Sequence, residues 1–226
     1  MKFNFKELIK GISAIGLYFI LQIILTIPFV FLLEDNKISI NTTYLFVYLG
    51  LAIIFNFIYR KSVTENNKDF KKNYKGILKS TLKYWALGLA IMIVSSLVIS
   101  LFNIPTSDNQ NTNIELFKQA PIIQSMCAII FAPIIEELVF RHSFRNFTNK
   151  PIVFALTTGL IFGFVHITSS ITNIKDLIMF VHLIPYSAVG IAFGYAYKKN
   201  KDNIIGTMII HSMHNIIAVI EILVLL

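Results

Sequence analysis

The chain has 226 residues, of which 55% are hydrophobic and 14% are charged, whereas a soluble domain carries about 25% charged residues. The apolar residues form long blocks, which is typical of a polytopic membrane protein and argues against a soluble globular domain. The single cysteine, Cys127, excludes an internal disulfide and a cysteine-rich metal site. The net charge of +8 does not indicate nucleic-acid binding, because the basic residues cluster between the apolar blocks.

Seven apolar blocks predict an all-α, polytopic transmembrane helical bundle of about seven spans, since about 20 apolar residues cross a bilayer. In chain order the blocks are Gly11–Leu33, Thr43–Tyr59, Trp85–Leu101, Ile122–Phe140, Ile152–Ser169, Leu177–Tyr197 and Ile204–Leu226. The first block follows basic residues, as in a signal peptide, but it is too long for the apolar core of one and no small-residue cleavage site follows it. We therefore interpret it as a retained span.

The predicted spans form one integrated membrane domain with two parts. Residues 1–113 carry the first three spans and a basic loop that begins at Arg60. Residues 114–226 carry the remaining spans, and the active site is predicted among spans four, five and seven. At the start of the second part, the segment Ile114–Ala120 is predicted to be a short helix at the outer surface.

The distribution of lysine and arginine predicts the orientation in a cell membrane. With the N-terminus in the cytoplasm and seven crossings, seventeen of the twenty basic residues lie inside, beginning with Lys2. Only Lys37, Lys118 and Lys175 lie outside. Every loop agrees with this orientation, which supports the number of spans.

Several polar side chains lie inside the predicted spans. Ionisable groups are costly in hydrocarbon, so they face the interior of the bundle and usually mark function. They are Glu136, Glu137, Arg141, His166, His182, His211, His214 and Glu221, and Asn215 adds an amide.

The adjacent carboxylates Glu136 and Glu137 are predicted to lie on different helix faces, because neighbours on a helix are about 100° apart. Arg141 follows Glu137 by four residues, which favours an ion pair between them. Glu136 then has no local partner and is a candidate general base. The alternative interpretation is that all three residues form a purely structural ion-pair cluster.

Spacing predicts that residues of three spans meet at one depth. Pro151 is suited to the first turn of a helix, and Glu136 lies fifteen residues before it and His166 fifteen after it. In an antiparallel hairpin these equal offsets allow contact. His211 and Asn215 lie one turn apart on the same face of span seven, and a rise of 1.5 Å per residue puts them at a similar level. The predicted site lies on the cytoplasmic side of the midplane.

Three motifs in successive spans, taken together and in order, resemble those of a known family. The first is EELVFR (Glu136, Glu137, Arg141), which resembles EExxxR. The second is FGFVH (Phe162, His166), which resembles FxxxH. The third is HSMHN (His211, Asn215), which resembles HxxxN. The set is similar to that of the CPBP family, which comprises CAAX prenyl proteases and bacteriocin-processing proteins, also called Abi proteins. The resemblance covers about residues 122–215.

The resemblance implies an intramembrane endopeptidase that opens toward the cytoplasm. Glu136 and His166 would activate the hydrolytic water, and His211 and Asn215 would stabilise the oxyanion. Glu137, Arg141 and Phe162 would support the site.

The implied cofactor is Zn²⁺ held by Glu136, His166 and His211, and a metal-free glutamate mechanism stays open beside it. The implied partners are membrane lipids and a hydrophobic or lipidated peptide, either a prenylated CAAX protein, a peptide pheromone or a bacteriocin precursor.

Two other functions compete with proteolysis. The first is a non-catalytic bacteriocin-immunity or regulatory membrane protein on the same scaffold. The second is a proton-coupled transporter, which is less favoured because no repeat or pair of broken helices is evident. Other protease signatures are missing, namely H-E-x-x-H, G-x-S-x-G and a pair of intramembrane aspartates. His182 and His214 match no motif: His182 is interpreted as structural or as lining a cavity that substrate could reach, and His214 as packing beside the site or supporting it.

Overall fold

The computed structural model describes residues 3–34, 37–171 and 174–225, and these ranges contain helices and turns but no strand. Of the sequence predictions, Lys2 and Leu226 lie outside the described residues, as does the side chain of Lys175. The α-helices of the described ranges are α1 (Phe5–Glu34), α2 (Ile40–Leu101), α3 (Asp108–Gln119), α4 (Pro121–Met126), α5 (Ala132–Phe140), α6 (Pro151–Ile167), α7 (Leu183–Lys199) and α8 (Ile204–Leu225). The prediction of an all-α helical bundle is confirmed.

Six helical segments in the described ranges are long and apolar enough to cross a membrane. They are Phe5–Glu34, Ile40–Leu101, Pro121–Phe144, Pro151–Ser170, Asp176–Lys199 and Ile204–Val224. The second segment has 62 residues, about three times what one crossing needs. It contains both predicted spans Thr43–Tyr59 and Trp85–Leu101, which accounts for the difference between six segments and seven spans.

Helix α2 is divided into two arms by a kink. Asn73 has φ −140° and ψ 38°, outside the helical region, so residues 40–72 and 74–101 form separate arms. Asn66, in the first arm, accepts a hydrogen bond from Ile204 N at 2.7 Å. Thr81, in the second arm, accepts one from Asn200 Nδ2 at 3.0 Å. Both arms therefore contact the same turn between α7 and α8, as expected for a hairpin whose tip is the basic loop.

Span four is a helical rod interrupted by a π-helical turn. Helix α4 continues through the π turn Cys127–Phe131 into α5, which ends at Phe140. Residues 141–150 are a 3₁₀ turn and irregular backbone. The sequence-based depth argument assumed a helix up to the turn before Pro151, and that premise is wrong. Glu136 lies four residues before the end of α5, whereas His166 lies one residue before the end of α6.

Helices α6 and α7 pack at very short range through glycines. A Cβ added at Gly159 would lie 2.5 Å from the backbone N of Ile191, and one at Gly163 would lie 2.2 Å from Ser187 Oγ. Gly190 and Gly194 line the facing side of α7. Small residues allow helix backbones in a membrane to approach closely, which strengthens their van der Waals contact. This packing holds His166 on α6 next to the residues of α7.

The surface helix α3 is longer than the predicted segment Ile114–Ala120. It begins at Asp108, and Ser107 caps it by accepting a hydrogen bond from Gln110 N at 3.3 Å. The Asn-rich stretch that precedes Ile114 is therefore helical as well. A serine at the N-cap satisfies a backbone N–H that the helix leaves without a partner.

Candidate active site

Helix α5 carries two carboxylates in different environments. The side chain of Glu137 is completely buried, and that of Glu136 keeps 17% of its surface exposed. Glu137 Oε1 lies 3.3 Å from Arg141 Nη1, so the ion pair that the four-residue spacing predicts is confirmed. A buried carboxylate needs such a counter-charge, because removing a charge from water costs several kcal/mol.

His211, on α8, contacts both carboxylates. Its Nδ1 lies 2.9 Å from Glu137 Oε1, and its Nε2 lies 3.5 Å from Glu136 Oε2. The expectation that the two carboxylates face apart therefore needs correction. Adjacent residues do leave the helix in different directions, but the imidazole presents one nitrogen on each side and lies between them.

Arg141 connects the carboxylates to α7 and α6. Its Nη2 donates a hydrogen bond to the Gly190 carbonyl at 3.3 Å, and its guanidinium lies 4.4 Å from the centre of the Phe162 ring. The side chain is fully buried. A planar cation stacked on an aromatic face keeps favourable electrostatic contact after it leaves water. Phe162 thus supports the site through its ring, as the resemblance implies.

His166 is oriented by its own helix. Its Nδ1 lies 2.8 Å from the carbonyl oxygen of Phe162. A carbonyl only accepts, so Nδ1 carries the proton and the neutral ring presents the lone pair of Nε2. Glu136 and His211 both lie close enough to His166 for their charges to interact with it. His166 as a whole is half-buried.

Asn215 joins α8 to the π turn of span four. Its Nδ2 donates a hydrogen bond to the carbonyl oxygen of Ala128 at 2.7 Å. One N–H of the amide remains to donate elsewhere. π-helical turns are frequent at functional sites because they re-aim backbone groups. Asn215 therefore has an anchoring contact that the sequence did not predict.

Residues of α7 complete the surroundings of the two histidines. The Phe193 ring stacks on His211 with its centre 5.0 Å away, and the Tyr186 ring stacks on His166 at 5.2 Å. Sequence reasoning missed both, because apolar and aromatic residues are common in every span and no motif distinguishes these two.

The remaining histidines of the spans have structural contacts. His182 Nε2 lies 2.8 Å from the Pro105 carbonyl, and His214 Nδ1 lies 3.4 Å from Trp85 Nε1. Neither lies between the carboxylates of α5. These contacts agree with the structural roles predicted for both.

The three predicted zinc ligands are chemically suited to the ion. Glu136 offers a carboxylate, and His166 and His211 each have Nδ1 fixed by an acceptor, which orients Nε2 in the manner of metal-ligating histidines. Within the described ranges, however, no three histidine, cysteine, aspartate or glutamate side chains lie close enough together to hold a metal ion. The assignment of Zn²⁺ stays a prediction from the resemblance.

Comparison with known proteins identifies related sequences. Residues 118–217 match the family model described as type II CAAX prenyl endopeptidase Rce1-like. The chain is 28% identical over 156 residues to UPF0177 protein YxdF of Lactococcus lactis, covering 62% of this chain and 81% of that protein.

A second relative is an uncharacterized protein of Mycoplasma capricolum, which is 26% identical over 187 residues and aligns with 76% of this chain. The chain spans about half the length of this relative, since the alignment covers 52% of it. No solved structure matches the chain. The matched residues contain all three motifs, so the resemblance is confirmed: residues 118–217 are similar to the Rce1-like family model.

Proposed function

We propose that this multi-pass membrane protein is an intramembrane endopeptidase that hydrolyses a peptide bond with water activated by glutamate and histidine. The observation that carries the proposal is the position of His211, 2.9 Å from Glu137 and 3.5 Å from Glu136. The partly exposed carboxylate of Glu136 therefore lies beside Nε2 of His211, while Nδ1 of the same ring is held by the buried Glu137. The family match at residues 118–217 supports the same activity.

Glu136 is the proposed general base. Its carboxylate is partly exposed, whereas Glu137 is buried and already paired with Arg141. Glu136 takes a proton from water as the hydroxide attacks the scissile carbonyl carbon, and it then returns that proton to the leaving amine as the C–N bond breaks. His166 Nε2 accepts a hydrogen bond from the same water and orients it.

His211 and Asn215 are the proposed stabilisers of the oxyanion. The free N–H of Asn215 is one donor, and Nε2–H of a protonated His211 is the other. Glu136, Glu137 and Arg141 together carry a net charge of −1, so one added proton on the Glu136–His211 pair makes the cluster neutral. This neutrality lets a proton move within the pair without leaving a net charge in a low-dielectric site.

Zn²⁺ remains part of the proposal as an alternative means of activating water. When bound by Glu136, His166 and His211, it would lower the pKa of its water and polarise the carbonyl. Two contacts would orient the histidines in either case: Glu137 holds Nδ1 of His211, and the Phe162 carbonyl holds Nδ1 of His166.

The proposed substrate is a hydrophobic or lipidated peptide, either a prenylated CAAX protein, a peptide pheromone or a bacteriocin precursor. A site built between membrane helices is reached most directly by a chain that already partitions into lipid. The proposed orientation has a cytoplasmic N-terminus, with the site opening toward the cytoplasm, and it is supported by the distribution of basic residues.

The decisive experiment compares Glu136→Gln with wild type in proteoliposomes. The probes are internally quenched peptides with and without a farnesylated CAAX terminus, and products are identified by mass spectrometry. Glu136→Gln should slow cleavage by about 10²–10⁴-fold, the range for loss of a general base. Glu221→Gln, a change at an exposed carboxylate of α8, is the matched control and should cleave normally.

Cleavage that persists in Glu136→Gln would overturn the assignment of the base. If wild type cleaves none of the probes and its cellular effect survives both Glu136→Gln and His166→Ala, the non-catalytic immunity or regulatory function is favoured instead.

A further inference from the structure

The His166 imidazole lies between two aromatic rings. The Phe162 ring centre is 4.2 Å away at an interplanar angle of 39°, and the Tyr186 ring is 5.2 Å away at 29°. Phe162 is one turn earlier on the same helix, whereas Tyr186 belongs to α7. Together with the hydrogen bond from Nδ1 to the Phe162 carbonyl, these contacts restrict rotation of the imidazole. Of these contacts, the one made by another helix is the stacking of Tyr186.

The hydroxyl of Tyr186 is anchored in turn to the start of α3. It lies 2.9 Å from Ser107 Oγ and accepts a hydrogen bond from Asn109 Nδ2 at 3.2 Å. Ser107 is the N-cap of α3 and is only 2% exposed. The Tyr186 ring is therefore fixed at its far end by a buried, hydrogen-bonded group.

The segment 105–109, which anchors Tyr186, is itself held by two further hydrogen-bond contacts. The backbone N–H of Asp108 donates to Ser170 Oγ at 2.8 Å, four residues after His166. His182, one turn before Tyr186, holds the Pro105 carbonyl at 2.8 Å. The segment thus joins the end of the helix that carries His166 to the beginning of the helix that carries Tyr186.

We propose that Tyr186 is a positioning residue for His166: its ring holds the imidazole so that Nε2 faces Glu136, and Ser107 and Asn109 hold the ring. The inference rests on the proposed function, in which His166 orients the hydrolytic water. Tyr186 takes no part in the chemistry itself. Its removal takes away the stacking contact from α7, so that the His166 side chain can rotate away from α5.

The first test compares Tyr186→Leu and Tyr186→Phe by cleavage of the farnesylated CAAX peptide. Tyr186→Leu removes the stacked ring and should lower kcat by about 10- to 100-fold with little change in KM, because a displacement of about 1 Å costs up to about 10²-fold. Tyr186→Phe retains the stacked ring and loses only the hydroxyl contacts to Ser107 and Asn109, so its kcat should lie between those of Tyr186→Leu and wild type, within about 5-fold of wild type. Tyr195→Leu, at a half-buried tyrosine of α7 that packs on Tyr84, is the matched control and should leave kcat unchanged.

The second test does not depend on catalysis. NMR of protein labelled at its five histidines, with the His166 signal assigned from His166→Gln, reports the ring-current effect of Tyr186. The Hε1 signal of His166 should move downfield in Tyr186→Leu and stay near its wild-type position in Tyr186→Phe and Tyr195→Leu.

Two results would overturn the proposal. One is a His166 signal that does not change in Tyr186→Leu, and the other is a Tyr186→Phe variant that cleaves as slowly as Tyr186→Leu. If wild type does not cleave the peptide, the proposed function fails for this substrate, while the NMR comparison still tests the stacking contact on which the positioning role depends, and an unchanged His166 signal in Tyr186→Leu rules that role out.

Discussion

Oε1 of Glu137 lies 2.9 Å from His211 Nδ1 and 3.3 Å from Arg141 Nη1, so one buried oxygen holds two groups of the site. Because Glu137 is completely buried, its charge depends on these two partners. The supporting role that the motif implies for Glu137 thus has a physical basis. It fixes one nitrogen of His211 and leaves the other beside Glu136.

Arg141→Met should destabilise the protein by about 3–5 kcal/mol, because it leaves the buried Glu137 charge without its cation. The double variant Arg141→Met/Glu137→Gln should regain part of that loss, since it removes the uncompensated charge as well. Thermal unfolding in detergent measures both. Lys118→Met, which breaks the exposed pair with Glu115, is the control and should cost at most about 1 kcal/mol. An Arg141→Met variant as stable as this control would contradict the argument.

Gly159→Ala should destabilise the contact between α6 and α7. Its new methyl group would lie 2.5 Å from Ile191 N and 2.7 Å from Ile191 Cα, so backbone has to move. Overpacking of this kind costs about 1–3 kcal/mol. Gly16→Ala meets no atom within 4 Å and should be neutral or slightly stabilising in a helix. Equal melting temperatures of the two variants would show that the α6–α7 packing tolerates a side chain at position 159.

If Zn²⁺ is bound as the resemblance implies, the protein purified without chelators should contain a stoichiometric amount of zinc. The amount should fall in His166→Ala and in His211→Ala, since each removes an imidazole ligand. Inductively coupled plasma mass spectrometry measures the metal directly, and His142→Ala, at a histidine that contacts Tyr197, controls for histidine loss outside the site. Full cleavage activity after complete chelation would favour the metal-free glutamate mechanism.

The predicted orientation can be tested with single cysteines. Cys127→Ala removes the native thiol, and Lys68→Cys or Asn113→Cys then introduces one in the basic loop or in α3. Both positions are exposed, so a membrane-impermeant maleimide can reach them. Asn113→Cys should react on intact cells and Lys68→Cys only after permeabilisation. The reverse pattern would invert the proposed topology.

The sequence by itself determined the class of protein and the identity of the candidate residues. Long apolar blocks require helices, because backbone groups in lipid must be hydrogen-bonded internally. A spacing of four residues was sufficient to predict the pair between Glu137 and Arg141, since that interaction is local to one helix. The ordered motifs also indicated the family, because each motif lies within one short stretch of sequence and does not depend on how the helices pack.

Only the tertiary structure decided how these residues meet. The sequence did predict a span that ends at Phe140, but the irregular turn between Phe140 and Pro151 shifts Glu136 relative to His166, so equal offsets from Pro151 did not give their relative depth. The position of His211 between both carboxylates depends on how α8 lies against α5, which helical periodicity does not fix. Tyr186 stacks on His166 because α6 and α7 approach through glycines, so its place in the site follows from how these two helices pack against each other.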